Sequence, residues 1–198
     1  MSPASALDQI AERLRDERSV IAPFVIEPTA SPVLGPLAAA GPRAASNPAE
    51  YSFVVESIRE GYELHYGTSH VLSGEDRKLS LLAGDYLYAL GLERLAELRD
   101  AEAVAELSDL ISLSAACHAE GSEAVVPALW LATAVAVGCA GGKSHENAKS
   151  ALRRGDGKAA AALRTTAEQT ARAAGIEDAL DRARESIDFS TRKTSDLG

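Results

Sequence analysis

The stretch LSLLAGDYLYALGLERLAEL, at residues 79–98, decides the fold class of this chain. It is strongly apolar and contains no proline, so it predicts one long helix. Glu75 and Asp76 precede it, and acidic side chains at this position favour the start of a helix. The segments on both sides also show helical patterns, which makes a helical architecture the first expectation.

Helical patterns cover most of the chain outside this stretch. We predict an all-α fold of about seven or eight helices, because alanine is abundant and has the highest helix propensity. Residues 22–50 differ, since six prolines interrupt them; they form either a linker or an extended arm packed on the main body, with short helical turns around 33–40. The other predicted helices span residues 4–18, 51–66, 102–118, 124–139, 144–154, 157–174 and 176–189.

The chain therefore divides into an N-terminal helix plus a proline-rich arm at residues 1–48 and a helical domain at residues 49–198. Its 198 residues carry a net charge of −9, which argues against nucleic-acid binding because phosphate backbones need clustered lysine and arginine. Cys117 and Cys139 fit no zinc-binding or disulfide pattern and are predicted to be buried thiols. Since the N-terminus does not resemble a signal peptide, we expect a cytoplasmic protein.

Residues 124–142 run for nineteen residues without a charged side chain, close to the length of a membrane span. The segment consists mainly of alanine, valine and glycine, with Pro127 near its start. Small residues allow close helix packing in a protein core as well as in lipid. We therefore predict a buried central helix and no membrane span.

The string LLAGDYLYA at residues 81–89 is the most distinctive motif of the chain. Through Gly84, Asp85 and Tyr86 it resembles the LAGDYL helix of the polyprenyl synthetase family, the trans-prenyl diphosphate synthases of the isoprenoid synthase fold. The resemblance implies an isoprenoid-synthase-like helical bundle. Enzymes of this family condense an allylic diphosphate with isopentenyl diphosphate, and two aspartate-rich segments hold Mg²⁺ on the substrate diphosphate.

The family's first aspartate-rich motif, DDxxD, falls on residues 56–60 when the chain is counted back from the motif without gaps. Only Glu56 and Glu60 keep acidic character there, and Arg59 lies beside Glu60. The family's RRG element falls on residues 65–67, HYG, so both arginines that would grip a diphosphate are replaced.

Magnesium needs several converging oxygen ligands in octahedral geometry. Glu56 and Glu60 are four residues apart and share one helix face, so they form at most a degenerate site. Arg59 would oppose a cation beside them, and the plain alternative for the two glutamates is a solvated helix face. We predict that metal binding is lost, with no metal ligand, catalytic residue or cofactor on this chain.

The second half of the family pattern is also missing, because residues 101–198 contain no DDxxD motif. The segments SALRRGD at 150–156 and GIEDALDRARES at 175–186 are similar to the family's closing helices. The resemblance thus implies a shortened chain from which the middle helices, including the second metal site, are deleted.

Two further patterns resemble binding sites but lack the required residue spacing. His65 and His70, with Glu63, miss the spacing of a helical metal site, so we interpret them as loop or surface residues. The segment GCAGGKS at 138–144 resembles a phosphate-binding loop, but it has one residue too few between its glycines and follows a helix. We predict a helix end and a turn there.

By resemblance, the chain is expected to be the non-catalytic small subunit of a heteromeric polyprenyl diphosphate synthase, like that of the heptaprenyl enzymes. A DDxxD-bearing catalytic partner would supply Mg²⁺ and both diphosphate sites, and this subunit would influence product length. The apolar helices between residues 79 and 113 would supply the dimer face or a wall of the prenyl-chain cavity, and a lone subunit would self-associate. Two alternatives stay open: an active synthase using Glu56, Glu60 and Asp85, and an unrelated helical interaction protein.

Overall fold

The computed structural model describes residues 4–16, 19–74 and 76–187, and most of these residues are helical. In these ranges the chain forms nine α-helices and no β-strand, so the predicted all-α fold is confirmed. The helices are α1 (Ala6–Asp16), α2 (Leu34–Ala39), α3 (Pro48–Tyr66), α4 (Arg77–Glu97), α5 (Ala101–Ala119), α6 (Val126–Cys139), α7 (Gly142–Arg153), α8 (Ala159–Ala174) and α9 (Glu177–Ser186).

The predicted bounds agree with these helices to within a few residues. Asp76 caps the N-terminus of α4, as expected, because its Oδ1 accepts hydrogen bonds from the backbone N–H groups of Lys78 and Leu79. Helix α3 begins at Pro48, earlier than predicted, because proline is well suited to a first helical turn. Parts of the predicted first and last helices, at 17–18 and 188–189, and Glu75 lie outside the described residues.

Helix α6 forms the centre of the fold, as predicted for the uncharged segment. It is buried around almost its whole circumference, with Trp130 at 1% exposure, and helices α2, α5 and α8 pack around it. Across the described ranges, no helix combines the length and the apolar character that a bilayer crossing requires.

A second, smaller core joins α1 to the main body. Leu7, Ile10 and Leu14 of α1 pack with Phe53 of α3 and Leu87 of α4, and all five side chains are buried. The amphipathic pattern of the first helix thus finds its partner in α3 and α4.

The proline-rich arm packs on the main body. Helix α2 lies against both α3 and α6, and the segment after it passes so close to the end of α6 that a Cβ on Gly41 would collide with the carbonyl oxygen of Gly138. Arg43 then bonds to Asp100 at 2.7 Å. Residues 22–50 therefore form an arm packed on the main body and not a linker.

Candidate functional site

Helix α3 carries a row of buried charged side chains, which we call the α3 cluster: Glu56, Arg59, Glu60 and Glu63. None is more than 2% exposed, although charged side chains are rarely buried without partners. The row includes Glu56 and Glu60, the two glutamates that the resemblance aligns with a first aspartate-rich motif. The alternative interpretation of these glutamates as a solvated helix face is therefore wrong.

Glu56 holds the N-terminus of helix α2. Its Oε1 accepts three backbone N–H groups, from Val33 at 2.7 Å and from Leu34 and Gly35 at 2.8 Å each. A carboxylate in this place satisfies donors that the helix leaves free and stabilises the positive end of its dipole. The other oxygen, Oε2, lies 3.3 Å from Nη1 of Arg59. Both carboxylate oxygens are thus used within the chain.

Glu60 holds the loop that follows α3. Its Oε2 accepts the Ser69 hydroxyl at 2.7 Å and the His70 backbone N–H at 2.9 Å, while Oε1 lies 2.7 Å from His70 Nδ1. The hydrogen bond to Glu60 raises the pKa of His70. The Ser69 hydroxyl oxygen in turn accepts the backbone N–H of Leu72 at 3.1 Å. This carboxylate therefore fixes a loop rather than facing a cavity.

Glu63 is the least satisfied member of the α3 cluster. Its Oε2 accepts the Thr68 backbone N–H at 3.2 Å, while its Oε1 has no hydrogen-bond partner among the described residues. Burial raises the pKa of Glu63 from 4.5 to about 7, against the opposing effect of Arg59. The sequence singled out Glu63 only as a neighbour of the histidines.

The two histidines and Glu63 do not converge. His70 faces Glu60, whereas the ring of His65 stacks on Tyr88 with centroids 5.2 Å apart. In the described ranges, no group of three or more histidine, cysteine, aspartate or glutamate side chains is arranged to hold a metal ion.

The motif helix α4 packs very closely on α3 through glycines. A Cβ on Gly84 would lie 2.7 Å from Cδ2 of His65, and one on Gly61 would lie 2.7 Å from Cδ1 of Tyr88. Gly91 makes a similar approach to Ile58, with 2.8 Å to its Cδ1. The glycine of the motif thus permits the close approach of two helices.

The other two residues of the motif have separate environments. The Asp85 side chain is 73% exposed and its Oδ1 lies 3.1 Å from Nε2 of His65, without the alignment of a hydrogen bond. Burial lowers the pKa of His65, which weakens the attraction to Asp85. Tyr86 is partly buried and packs against the second core. Asp85 is therefore the only one of the three that presents a charge to solvent.

His65 and Tyr66, at the positions where the resemblance would place arginines, lie next to an aromatic cluster. The ring of Tyr66 stacks on His118 with centroids 4.0 Å apart, and the hydroxyl oxygen of Tyr62 lies 2.8 Å from His118 Nε2. Burial lowers the pKa of His118, so its neutral ring can accept the Tyr62 hydrogen. The ring of Trp130 on α6 also packs against Tyr62, with the two ring centroids 5.4 Å apart. Stacked rings thus occupy the positions at which the resemblance would place arginines.

A second charged group, buried except for the partly exposed Asp109, joins α5 to α7. We call it the α5–α7 cluster: Glu106, Asp109, His145 and Lys149. Lys149 Nζ lies 2.9 Å from both Glu106 Oε2 and Asp109 Oδ2, and His145 Nε2 lies 3.0 Å from Glu106 Oε2. Burial lowers the pKa of Lys149, but the hydrogen bonds to Glu146, Asp109 and Glu106 outweigh it and raise the pKa to about 12. The only sequence signal was the spacing of His145 and Lys149, four residues apart on one face of α7.

The remaining predicted features also have defined places. The GCAGGKS segment spans the end of α6 and the start of α7, as predicted. Cys117 is buried and Cys139 is partly buried, and both are free thiols. The SALRRGD and GIEDALDRARES segments lie on α7 with its following turn and on α9, respectively.

Searches for similar proteins found no matching family model, no matching curated protein and no matching solved structure.

Proposed function

We propose that this chain is a non-catalytic helical subunit that associates with a DDxxD-bearing polyprenyl diphosphate synthase and influences its product length. One observation carries the proposal. Glu56 and Glu60 stand where the resemblance places the family's metal-binding aspartates. Their carboxylate oxygens accept hydrogen bonds from the chain's own backbone and side chains.

This use of the carboxylates speaks against the active-synthase alternative. Coordination of Mg²⁺ by Glu60 would require it to release Ser69 and His70, and coordination by Glu56 would release the N-terminus of α2. Breaking such buried contacts costs about 1–3 kcal/mol for each unsatisfied group. Asp85, the third ligand of that alternative, is largely exposed and beside His65.

The outer surface of α4 supports association with a partner. Leu82 is 52% exposed, and Leu81 and Tyr86 on the same helix are partly exposed. Glycine packing holds α4 close against α3 and leaves the Leu82 side chain on the outer surface. An apolar helix face of this kind suits a protein–protein contact or one wall of a prenyl-chain cavity.

The test is co-expression of this chain with a DDxxD-bearing synthase from the same genome, followed by co-purification and a Mg²⁺-dependent prenyl-transfer assay. We expect transfer by the pair and none by this chain alone. Leu82→Glu should weaken co-purification at least tenfold, whereas Val20→Glu, at another exposed apolar residue outside α4, is the matched control and should not.

Two results would contradict the proposal. Prenyl transfer by the isolated chain would favour the active-synthase alternative. A stable, well-folded chain that binds no such synthase would favour an unrelated helical interaction protein.

A further inference from the structure

Backbone hydrogen bonds tie the arm to the loop that follows α3. Arm residues 24–29 run antiparallel to loop residues 67–73, and we call this pairing the arm–loop contact. Its backbone N–H groups donate over 2.9–3.0 Å, from Ile26 to Val71, from Thr29 to His70 and from Ser73 to Phe24. A segment held by so few backbone hydrogen bonds opens locally more easily than the helices around it.

The loop of the arm–loop contact rests on two carboxylates of the α3 cluster. Oε1 of Glu60 lies 2.7 Å from Nδ1 of His70, and Oε2 of Glu63 accepts the backbone N–H of Thr68 at 3.2 Å. Val71, the next residue of the loop, is fully buried in the second core. Opening of the loop would therefore admit water to both carboxylates and expose an apolar side chain.

The net charge of this buried group depends on pH. Near pH 5, the positive Arg59 and His70 balance the negative Glu56 and Glu60, while Glu63 is protonated. Hydrogen bonding to Glu60 raises the pKa of His70, and burial raises the pKa of Glu63 to about 7. Once the pH exceeds both values, His70 is neutral and Glu63 is ionised, so the group carries two uncompensated negative charges. Buried charge of this kind is costly, and hydration relieves the cost.

The elements packed around this group do not compensate the change. On α4, Arg77 donates to the carbonyl oxygen of Leu64 at 3.1 Å, and burial raises the pKa of Tyr88, which stays neutral. Burial lowers the pKa of His118 on α5, so its ring is neutral above pH 6.5. Helix α2 carries no charged residue. The charged side chains of α1 and of the arm segment are exposed or half-buried: Asp8, Glu12, Arg13, Arg15, Asp16 and Glu27.

We propose that the arm–loop contact is a pH-sensitive switch, closed near pH 5 and opened increasingly as the pH rises to 8, because opening hydrates Glu63 and separates it from Glu60. The sign follows from proton linkage. The closed state holds protons on Glu63 and His70 more tightly than the open state does, so loss of these protons weakens the closed state. The switch does not depend on the polyprenyl proposal.

The test is native-state hydrogen exchange of the full chain at pH 5 and pH 8, with each rate divided by the intrinsic rate at that pH. We expect the protection of the Ile26, Thr29 and Ser73 amides to fall on the order of 50-fold, the effect of Glu63 alone when its pKa is about 7 in the closed state and 4.5 in the open state. Low urea should leave this exchange unchanged and speed that of α6 amides, because local opening exposes little surface.

Three variants assign the effect to its residues. Glu63→Gln should raise the protection of these amides at pH 8 by up to about 300-fold, the factor that corresponds to a pKa raised from 4.5 to about 7, and remove most of the pH dependence. Glu50→Gln is the matched control on the same helix, because the Glu50 side chain is 42% exposed and lies outside the contact; it should change nothing. His70→Gln should lower the protection more at pH 5 than at pH 8, since it removes a positive charge that exists only at low pH.

Three results would overturn the proposal: protection that does not change with pH, an unchanged fall in a folded Glu63→Gln variant, or exchange of these amides only together with those of α6. Because the His70 side chain is partly exposed, His70→Gln keeps the test decisive even if Glu63→Gln fails to fold. An equal loss of protection at pH 5 and pH 8 in that variant would also contradict the proposal.

Discussion

The α3 cluster and the α5–α7 cluster are both buried and charged, but they bind different kinds of partner. Glu56 and Glu60 of the α3 cluster bind mainly backbone N–H groups and a loop, whereas Glu106 and Lys149 of the α5–α7 cluster bind charged side chains. A backbone N–H persists under every substitution except proline, while a charged side chain can be replaced together with its partner. The first cluster should therefore be irreplaceable, and the second should be exchangeable for apolar side chains.

The largest effect is expected at Glu56. Glu56→Ala removes the acceptor of three backbone N–H groups and leaves Arg59 buried without its carboxylate. We expect a loss of about 3–5 kcal/mol in the free energy of unfolding, measured by urea denaturation. A loss below about 1 kcal/mol would mean that water replaces the carboxylate and that α2 does not depend on it.

The two clusters should differ most clearly in double substitutions. Lys149→Met leaves Glu106 without its lysine and should cost about 3 kcal/mol, whereas Glu106→Gln with Lys149→Met should return to within about 1 kcal/mol of the wild type. Glu56→Leu with Arg59→Met should remain at least about 2 kcal/mol less stable, because the α2 N–H groups still lack an acceptor. Equal recovery in both pairs, measured by denaturation, would remove the distinction between the clusters.

The pH dependence of stability should distinguish the clusters next. The pKa of Glu63 is raised to about 7 in the folded chain, so its ionisation destabilises the fold progressively as pH rises from 4.5 to 7. The pKa of His70 is also raised, so its contact with Glu60 contributes stability fully below its ordinary value of 6.5 and loses it as pH rises through the raised pKa. The lowered pKa of Glu106 keeps its contribution constant above its ordinary value of 4.5.

We therefore expect Glu63→Gln to be stabilising by about 2–3 kcal/mol at pH 8 and neutral near pH 4. Denaturation curves at several pH values check this, with the α5–α7 substitution Glu106→Gln as the control, which should show no such gain at pH 8. A Glu63→Gln variant that is less stable at pH 8 would show that the ionised carboxylate has a compensating partner.

The smallest effect is expected at an exposed ion pair. Arg184 Nη2 lies 2.9 Å from Glu168 Oε1, and both side chains are 40% or more exposed. Arg184→Ala should change the free energy of unfolding by less than about 1 kcal/mol in thermal or urea denaturation. A larger loss would mean that exposed ion pairs of this chain also contribute strongly to its stability, so that burial does not decide their strength.

The helices and the central core followed from the sequence because they depend on local composition. The uncharged segment became the buried α6, and Asp76 began α4, since periodicity and capping are set within a few residues. The packed position of the proline-rich arm did not follow. It depends on Glu56, which binds N–H groups 21 to 23 residues away in the chain, and backbone donors carry no sequence signal.

The side chains of the candidate sites were predictable only in part. Glu56 and Glu60 were singled out by the resemblance, but their burial depends on α2 and on the loop at residues 68–72. The α5–α7 cluster joins Lys149 to Glu106, 43 residues apart, and the spacing of His145 and Lys149 on α7 does not identify that partner. Helix α7 buries His145 and Lys149 because both side chains contact Glu106 of α5.

The central claim is that the carboxylates of Glu56 and Glu60 hold the chain's own backbone and loop and are not available to a metal ion. The most direct test adds Mn²⁺, a paramagnetic substitute for Mg²⁺, to the isolated chain and records the broadening of backbone amide signals. The account predicts no selective broadening of α3 or of residues 68–72. Broadening centred on residues 56–60 that Glu60→Gln abolishes would contradict it.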